Sequence, residues 1–295
     1  MMTEVSAMDQ TGVMKQMGPA TGEHGSENTG PSSSSSRLED LPAELRVLIL
    51  SAAPDLLTLR ALVRASPVLH AQYRNDRMRI LRACMDREMD GLLVDAYATV
   101  MSRAGKLGER TDQTITDFLD LYKSWLSGSM PVLDIKTIRP SRLRWMAAYH
   151  ISVARPLALS YGNWALTNLE RAVLSSTGQQ GATASDIEEA AAVGGEEHRA
   201  TEHGYDIELS RSEEIRIFRA LYRHETYHHL FGQNTARRVG AFRHHEVHAL
   251  FFCLFDPWEA EAVGCIDTFV RAAYGFIFDQ IWNIASTWMA LSPAA

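Results

Sequence analysis

The stretch that decides the fold is residues 41–74, LPAELRVLILSAAPDLLTLRALVRASPVLHAQYR. Its leucine, isoleucine and valine residues recur at intervals of three and four, which is the spacing of a helix and not of a strand. Its capping residues divide it into three short helices, over residues 42–52, 56–65 and 67–73. Asp55 can cap the second of them, and Ser66 followed by Pro67 can start the third.

Each of these helices is too short to be stable alone in water, so its apolar side chains must pack against another surface. Two alternatives stay open at this point. The leucines can pack inward against later helices of the same chain, or they can dock in the groove of a partner protein.

The rest of the chain is also predicted to be all-α. Residues 1–37 are rich in Gly, Ser and Thr and poor in aromatic residues, so we expect a disordered N-terminal tail. Residues 38–80 form the three-helix start, which we call the hook, and residues 81–295 an irregular helical body. Gly, Ala and acidic residues at about 177–205 predict an acidic disordered insertion in that body.

The chain has 295 residues and a net charge of -7, which favours neither nucleic acid nor an anionic membrane as a partner. Cys84, Cys253 and Cys265 are far apart, so no disulfide framework or four-cysteine zinc site is indicated. Without a secretory signal near the N-terminus, an intracellular protein, cytoplasmic or nuclear, is expected. The apolar run at residues 272–290 contains Asp279 and predicts a core helix, not a membrane span.

The opening of the hook resembles the F-box, whose pattern begins with a Leu-Pro-x-Glu helix start and continues through leucine-rich short helices. More broadly, the chain is similar to a group of uncharacterised F-box-like proteins of filamentous fungi. Two later stretches share in that likeness, residues 222–231 (YRHETYHHLF) and residues 257–259 (PWE).

The resemblance implies that the hook docks on the Skp-type linker subunit of a cullin-RING ubiquitin ligase, while the rest of the chain presents an unknown protein substrate. It implies no cofactor and no catalytic residue. The residues expected to bind the partner are Leu41, Pro42, Glu44, Leu45, Ile49 and Leu59. The alternative is a helical protein of unknown partner that does not bind the linker.

The sharpest chemical motif is His224-Glu225-x-x-His228, the spacing with which zinc metalloproteases hold their metal. Two imidazoles four residues apart lie on one face of a helix, and the glutamate could activate a bound water. A catalytic zinc needs a third protein ligand, and Glu246, His244 or His248 on the next predicted helix could in principle supply it, although nothing in the sequence requires it. Both histidines continue the apolar face of their helix, which favours buried histidines over a metal site. A zinc-dependent hydrolase is therefore the least favoured alternative.

Overall fold

The computed structural model describes residues 38–103, 107, 110–131, 133–178, 209–232 and 242–291. The regular structure of these residues is helical and includes no β-strand, which confirms the all-α prediction. The predicted tail and nearly all of the predicted insertion lie outside the described residues.

The hook contains the three short helices that its sequence predicts: α1 (Ala43–Ser51), α2 (Leu56–Ala65) and α3 (Pro67–Asn75). The two predicted caps are confirmed. The side chain of Asp55 accepts a hydrogen bond from the backbone N–H of Thr58 at 2.6 Å, and Ser66 Oγ accepts one from the N–H of Leu69 at 3.3 Å. Each cap satisfies a first-turn donor that the helix itself leaves without a partner.

The body continues through eight further helices among the described residues: α4 (Arg77–Glu88), α5 (Leu93–Ser102), α6 (Asp112–Leu126), α7 (Pro140–Tyr149), α8 (Arg155–Gly178), α9 (Arg211–Phe231), α10 (His244–Leu250) and α11 (Pro257–Leu291). A π-helical turn, His150–Ala154, joins α7 to α8. Such turns often mark places where a side chain has a special role.

The hook and the body share one hydrophobic core. Val47 and Leu50 of α1 belong to the same cluster of buried side chains as Met85 of α4 and Phe218 of α9. Because the first helices contribute to this common core, the hook is an integral part of the fold. A second core cluster lies where α5, α6 and α9 meet α10 and the short turn that follows it, and Tyr122, Phe251 and Phe255 fill it.

The C-terminal half of α11 is exposed, so the predicted core helix at residues 272–290 is wrong for the residues whose side chains are described. Phe269 packs against Tyr161 and Trp164 of α8 and is the last buried side chain described on α11. From residue 271 to residue 284 every side chain is exposed. An apolar run specifies a helix, but only neighbouring elements decide whether it is covered. Among the described helices, none combines the length and the apolar character needed to cross a membrane.

Candidate functional site

The outward face of α1 is apolar. Leu45 and Leu48 are 45% and 55% exposed, and Pro42 beside them is also exposed. Leu41 and Ile49 are half-buried at the edges of the same face. We call these residues, together with the exposed Glu44, the hook surface: Leu41, Pro42, Glu44, Leu45, Leu48 and Ile49.

The structure brings together five of the six residues that the sequence predicts for partner binding. The sixth, Leu59, is only 3% exposed and packs in the core that the hook shares with the body, so it cannot touch a partner. Leu48 was missed, although it follows Leu45 by three positions and therefore shares its helix face. The opposite face of α1 carries Val47 and Leu50, which are buried.

A buried carboxylate, Glu88 at the end of α4, joins the hook to the body. Its Oε2 accepts a hydrogen bond from the backbone N–H of Leu56 at the start of α2, at 2.9 Å. Its Oε1 lies 2.9 Å from His150 Nε2 and 3.2 Å from a guanidinium nitrogen of Arg155. Burial alone would raise the pKa of Glu88, but the hydrogen bonds from His150 and Leu56 and the charge of Arg155 outweigh it and lower that pKa.

The two later stretches that share in the F-box-like resemblance contact each other. Arg223 of α9 lies 3.1 Å from the carboxylate of Glu259 in the first turn of α11. Its Nε donates to Asp95 Oδ1 of α5 at 3.0 Å, and its guanidinium stacks over the ring of Phe255 at 4.2 Å. Asp95 also accepts a hydrogen bond from the buried hydroxyl of Tyr122. Arg223 and Glu259, one from each stretch, therefore hold α5, α9 and α11 together through Asp95.

The two histidines of the motif converge with Asp267 of α11, which their spacing in the sequence does not indicate. His224 Nε2 and His228 Nε2 are 3.0 Å apart, and Asp267 Oδ1 of α11 lies 3.5 Å from the first and 3.8 Å from the second. His224 is buried, as expected, whereas the side chain of His228 is 44% exposed. The three ligand atoms lie close enough together to hold one metal ion.

The residues considered as a third ligand are not part of this cluster. They lie on α10, where His244, Glu246 and His248 are all exposed. Glu246 accepts a hydrogen bond from the backbone N–H of Arg243, the residue before the first turn of α10, at 2.6 Å. His248 lies beside Cys253. No signal in the sequence singles out Asp267, because its approach to α9 depends on how α11 packs.

The glutamate of the motif has other partners. One oxygen of Glu225 lies 3.1 Å from His229 Nε2, and the hydroxyl of Tyr149 also hydrogen-bonds to this carboxylate. The bond with His229 lowers the pKa of Glu225 despite its burial. A glutamate that is already hydrogen-bonded by two neighbours is poorly suited to take a proton from a metal-bound water.

The electrostatics of the cluster favour an uncharged His224 beside an ionised Asp267. Burial and the neighbouring His228 lower the pKa of His224. For Asp267, burial is outweighed by the hydrogen bond and charge of Arg271 together with His224, so its pKa is lowered as well. Neutral imidazole and carboxylate are the forms in which these side chains bind metals.

The fold is that of a helical protein with an exposed apolar face on α1 and a His-His-Asp cluster between α9 and α11. Comparisons with protein-family models, with curated proteins and with solved structures find no match to this chain.

Proposed function

We propose that this chain is a protein-interaction subunit whose hook surface binds the Skp-type linker of a cullin-RING ubiquitin ligase, so that the body can present a protein substrate. The observation that carries the proposal is the exposure of Leu45 and Leu48 on a helix whose other face is fixed in the core. The identity of the partner rests on the resemblance of residues 41–74 to the F-box.

The hook surface has the composition of an interface centre. Full burial of one leucine side chain contributes roughly 1.5–3 kcal/mol, so Leu45 and Leu48 could supply a substantial part of the binding free energy. Leu57 of α2 is 40% exposed and adds further apolar surface on the hook. Glu44 contributes a charged group to this surface, as is typical of interface rims.

The hook is also held rigidly before any partner binds. Val47 and Leu50 pack in the common core, and the N–H of Leu56 is fixed by Glu88. A rigid surface loses little conformational entropy on association, which favours affinity. The same attachment means that binding must be tested with the full chain, because residues 38–80 alone would lack the side chains of the body that complete their core.

The test is a binding measurement between the full chain and a purified Skp-type linker subunit, by calorimetry or surface plasmon resonance. The informative variant is Leu45→Ser with Leu48→Ser. Since both side chains are exposed, the fold should survive, and we expect affinity to fall by about 10-fold to 100-fold for two lost apolar contacts.

The matched control is Leu166→Ser with Leu169→Ser on α8, two leucines that are 40% and 60% exposed away from the hook. This variant should bind as the wild type does. If the folded wild type does not bind the linker, the adaptor role is wrong, and the result favours the alternative of a helical protein of unknown partner that does not bind the linker. If it binds and the hook variant binds equally well, the hook surface is the wrong site.

A further inference from the structure

The three-residue cluster between α9 and α11 has the dimensions of a zinc site. Neighbouring ligand atoms of a tetrahedral zinc ion, with bonds of about 2.0–2.1 Å, lie about 3.4 Å apart. The three edges of the cluster measure 3.0, 3.5 and 3.8 Å, close to that separation. The point equidistant from the three atoms of such a triangle lies about 2.0 Å from each atom, which is a zinc bond length.

A neighbouring arginine orients the carboxylate of the cluster. Asp267 Oδ2 accepts a hydrogen bond from Arg271 Nε at 2.6 Å, which leaves Oδ1 directed at the two histidines. A hydrogen bond that fixes a ligating carboxylate is typical of metal sites, where such partners orient the ligands. His224 and His228 are four residues apart on α9, so the helix itself fixes their separation.

We infer that His224, His228 and Asp267 bind a zinc ion that cross-links α9 to α11. Two imidazole nitrogens and one carboxylate oxygen are suitable ligands for zinc. The side chains of His228 and Asp267 are 44% and 33% exposed, so a fourth position is open to water or to a group from another molecule. The inference does not depend on the proposed function of the hook.

The site has a structural consequence for the exposed part of α11. Asp267 lies two positions before Phe269, the last buried side chain described on that helix. A bound ion would therefore clamp α11 to α9 at the point where α11 leaves the body. The hydrogen bonds of Glu225 with His229 and Tyr149 favour this clamping role over hydrolysis.

The test uses the full chain, produced without a histidine tag and stripped of metal with a chelator. Zinc is then titrated against it in competition with a chromophoric chelator. We expect one zinc ion per chain. Asp267→Asn and His228→Ala should each weaken zinc binding by at least about 10-fold. Removing a residue that only orients a metal ligand typically costs about that much affinity, and removing a ligand itself should cost at least as much. Circular dichroism of each variant shows whether it folds.

The matched control is His244→Ala with His248→Ala. These two histidines have the same four-residue spacing on α10, but they are not part of the cluster formed by His224, His228 and Asp267. Zinc binding by this variant should equal that of the wild type. Replacing zinc by Co²⁺ adds a second readout, because four-coordinate cobalt absorbs visible light far more strongly than six-coordinate cobalt.

Four results would overturn the inference. The stripped wild type could fail to take up zinc, which would leave His224 and His228 as a simple hydrogen-bonded pair. The α10 variant could lose zinc while Asp267→Asn retains it, which would place the ion at the other histidine pair. A weak cobalt spectrum, or iron in place of zinc in protein as purified, would exclude a tetrahedral zinc site.

Discussion

His150 Nε2 lies 2.9 Å from Glu88 Oε1, and the exposed fractions of the two side chains are 0% and 1%. His150 begins the π-helical turn between α7 and α8, and its Nδ1 lies 2.8 Å from the hydroxyl of Tyr222 on α9. Glu88 in turn holds the N–H of Leu56 at the start of α2. This pair therefore connects the hook to the centre of the body through fully buried hydrogen bonds.

Glu88→Gln should lower the free energy of unfolding by about 3 kcal/mol, because it leaves the nearby cation Arg155 without its buried counter-charge. Asp86→Asn on the same helix is the control, since Asp86 is exposed, and it should change stability by less than about 0.5 kcal/mol. Urea unfolding followed by circular dichroism measures both. Equal stability of the two variants would contradict the role given to Glu88.

The stability should also depend on pH through Glu88. Its pKa in the folded chain is below the value of 4.5 that it has when unperturbed, so the unfolded state takes up a proton first as the pH falls. The stabilisation from Glu88 is therefore fully present above about pH 5 and is lost as the pH drops below 4.5 through the folded pKa. We expect the difference in stability between wild type and Glu88→Gln to shrink in acid. A difference that is constant from pH 7 to pH 3 would contradict this.

Two leucines of α1 offer a direct comparison of its two faces. Leu50 is fully buried, and Leu50→Ala should cost about 2–5 kcal/mol of stability through lost burial and the cavity left behind. Leu48 is 55% exposed, and Leu48→Ala should cost less than about 1 kcal/mol. Thermal unfolding distinguishes them. A large loss for Leu48→Ala would mean that the hook surface is covered in solution and cannot serve as a docking surface.

Arg223→Met should be strongly destabilising, by about 3 kcal/mol, since it leaves the carboxylate of Asp95 buried without its nearest cation. Arg216→Met on the exposed side of the same helix is the matched control and should be close to neutral. Chemical unfolding monitored by tryptophan fluorescence would measure both changes. If the two substitutions had similar effects, the junction of α5, α9 and α11 would not depend on this ion pair.

The exposed half of α11 should contribute little to folding. Ile277 and Ile281 are 50% and 60% exposed, so the double substitution Ile277→Ser with Ile281→Ser should change the unfolding free energy by less than about 1 kcal/mol. The same change should reduce the binding of an apolar fluorescent dye, because it removes part of a large exposed apolar surface. Ile266→Ser, at a buried position of the same helix, is expected to destabilise strongly.

The local features of the hook could be predicted from the sequence because they depend on neighbours in the chain. The spacing of the leucines specifies helices, and Asp55 and Ser66 satisfy backbone donors two or three residues away. For the same reason Leu45 and Ile49 could be assigned to one helix face together. The tertiary partner of each face could not be assigned, and Leu59 proved to be buried while Leu48 is exposed.

The sequence by itself therefore determined an all-α chain, the three helices of the hook and the spacing of His224 and His228. Only the tertiary structure decided that Asp267 reaches those histidines, that Arg223 meets an aspartate 128 residues away and that the end of α11 is left exposed. The physical reason is that hydrogen bonding within a helix is local, whereas burial and charge pairing depend on which surfaces meet after the helices have packed.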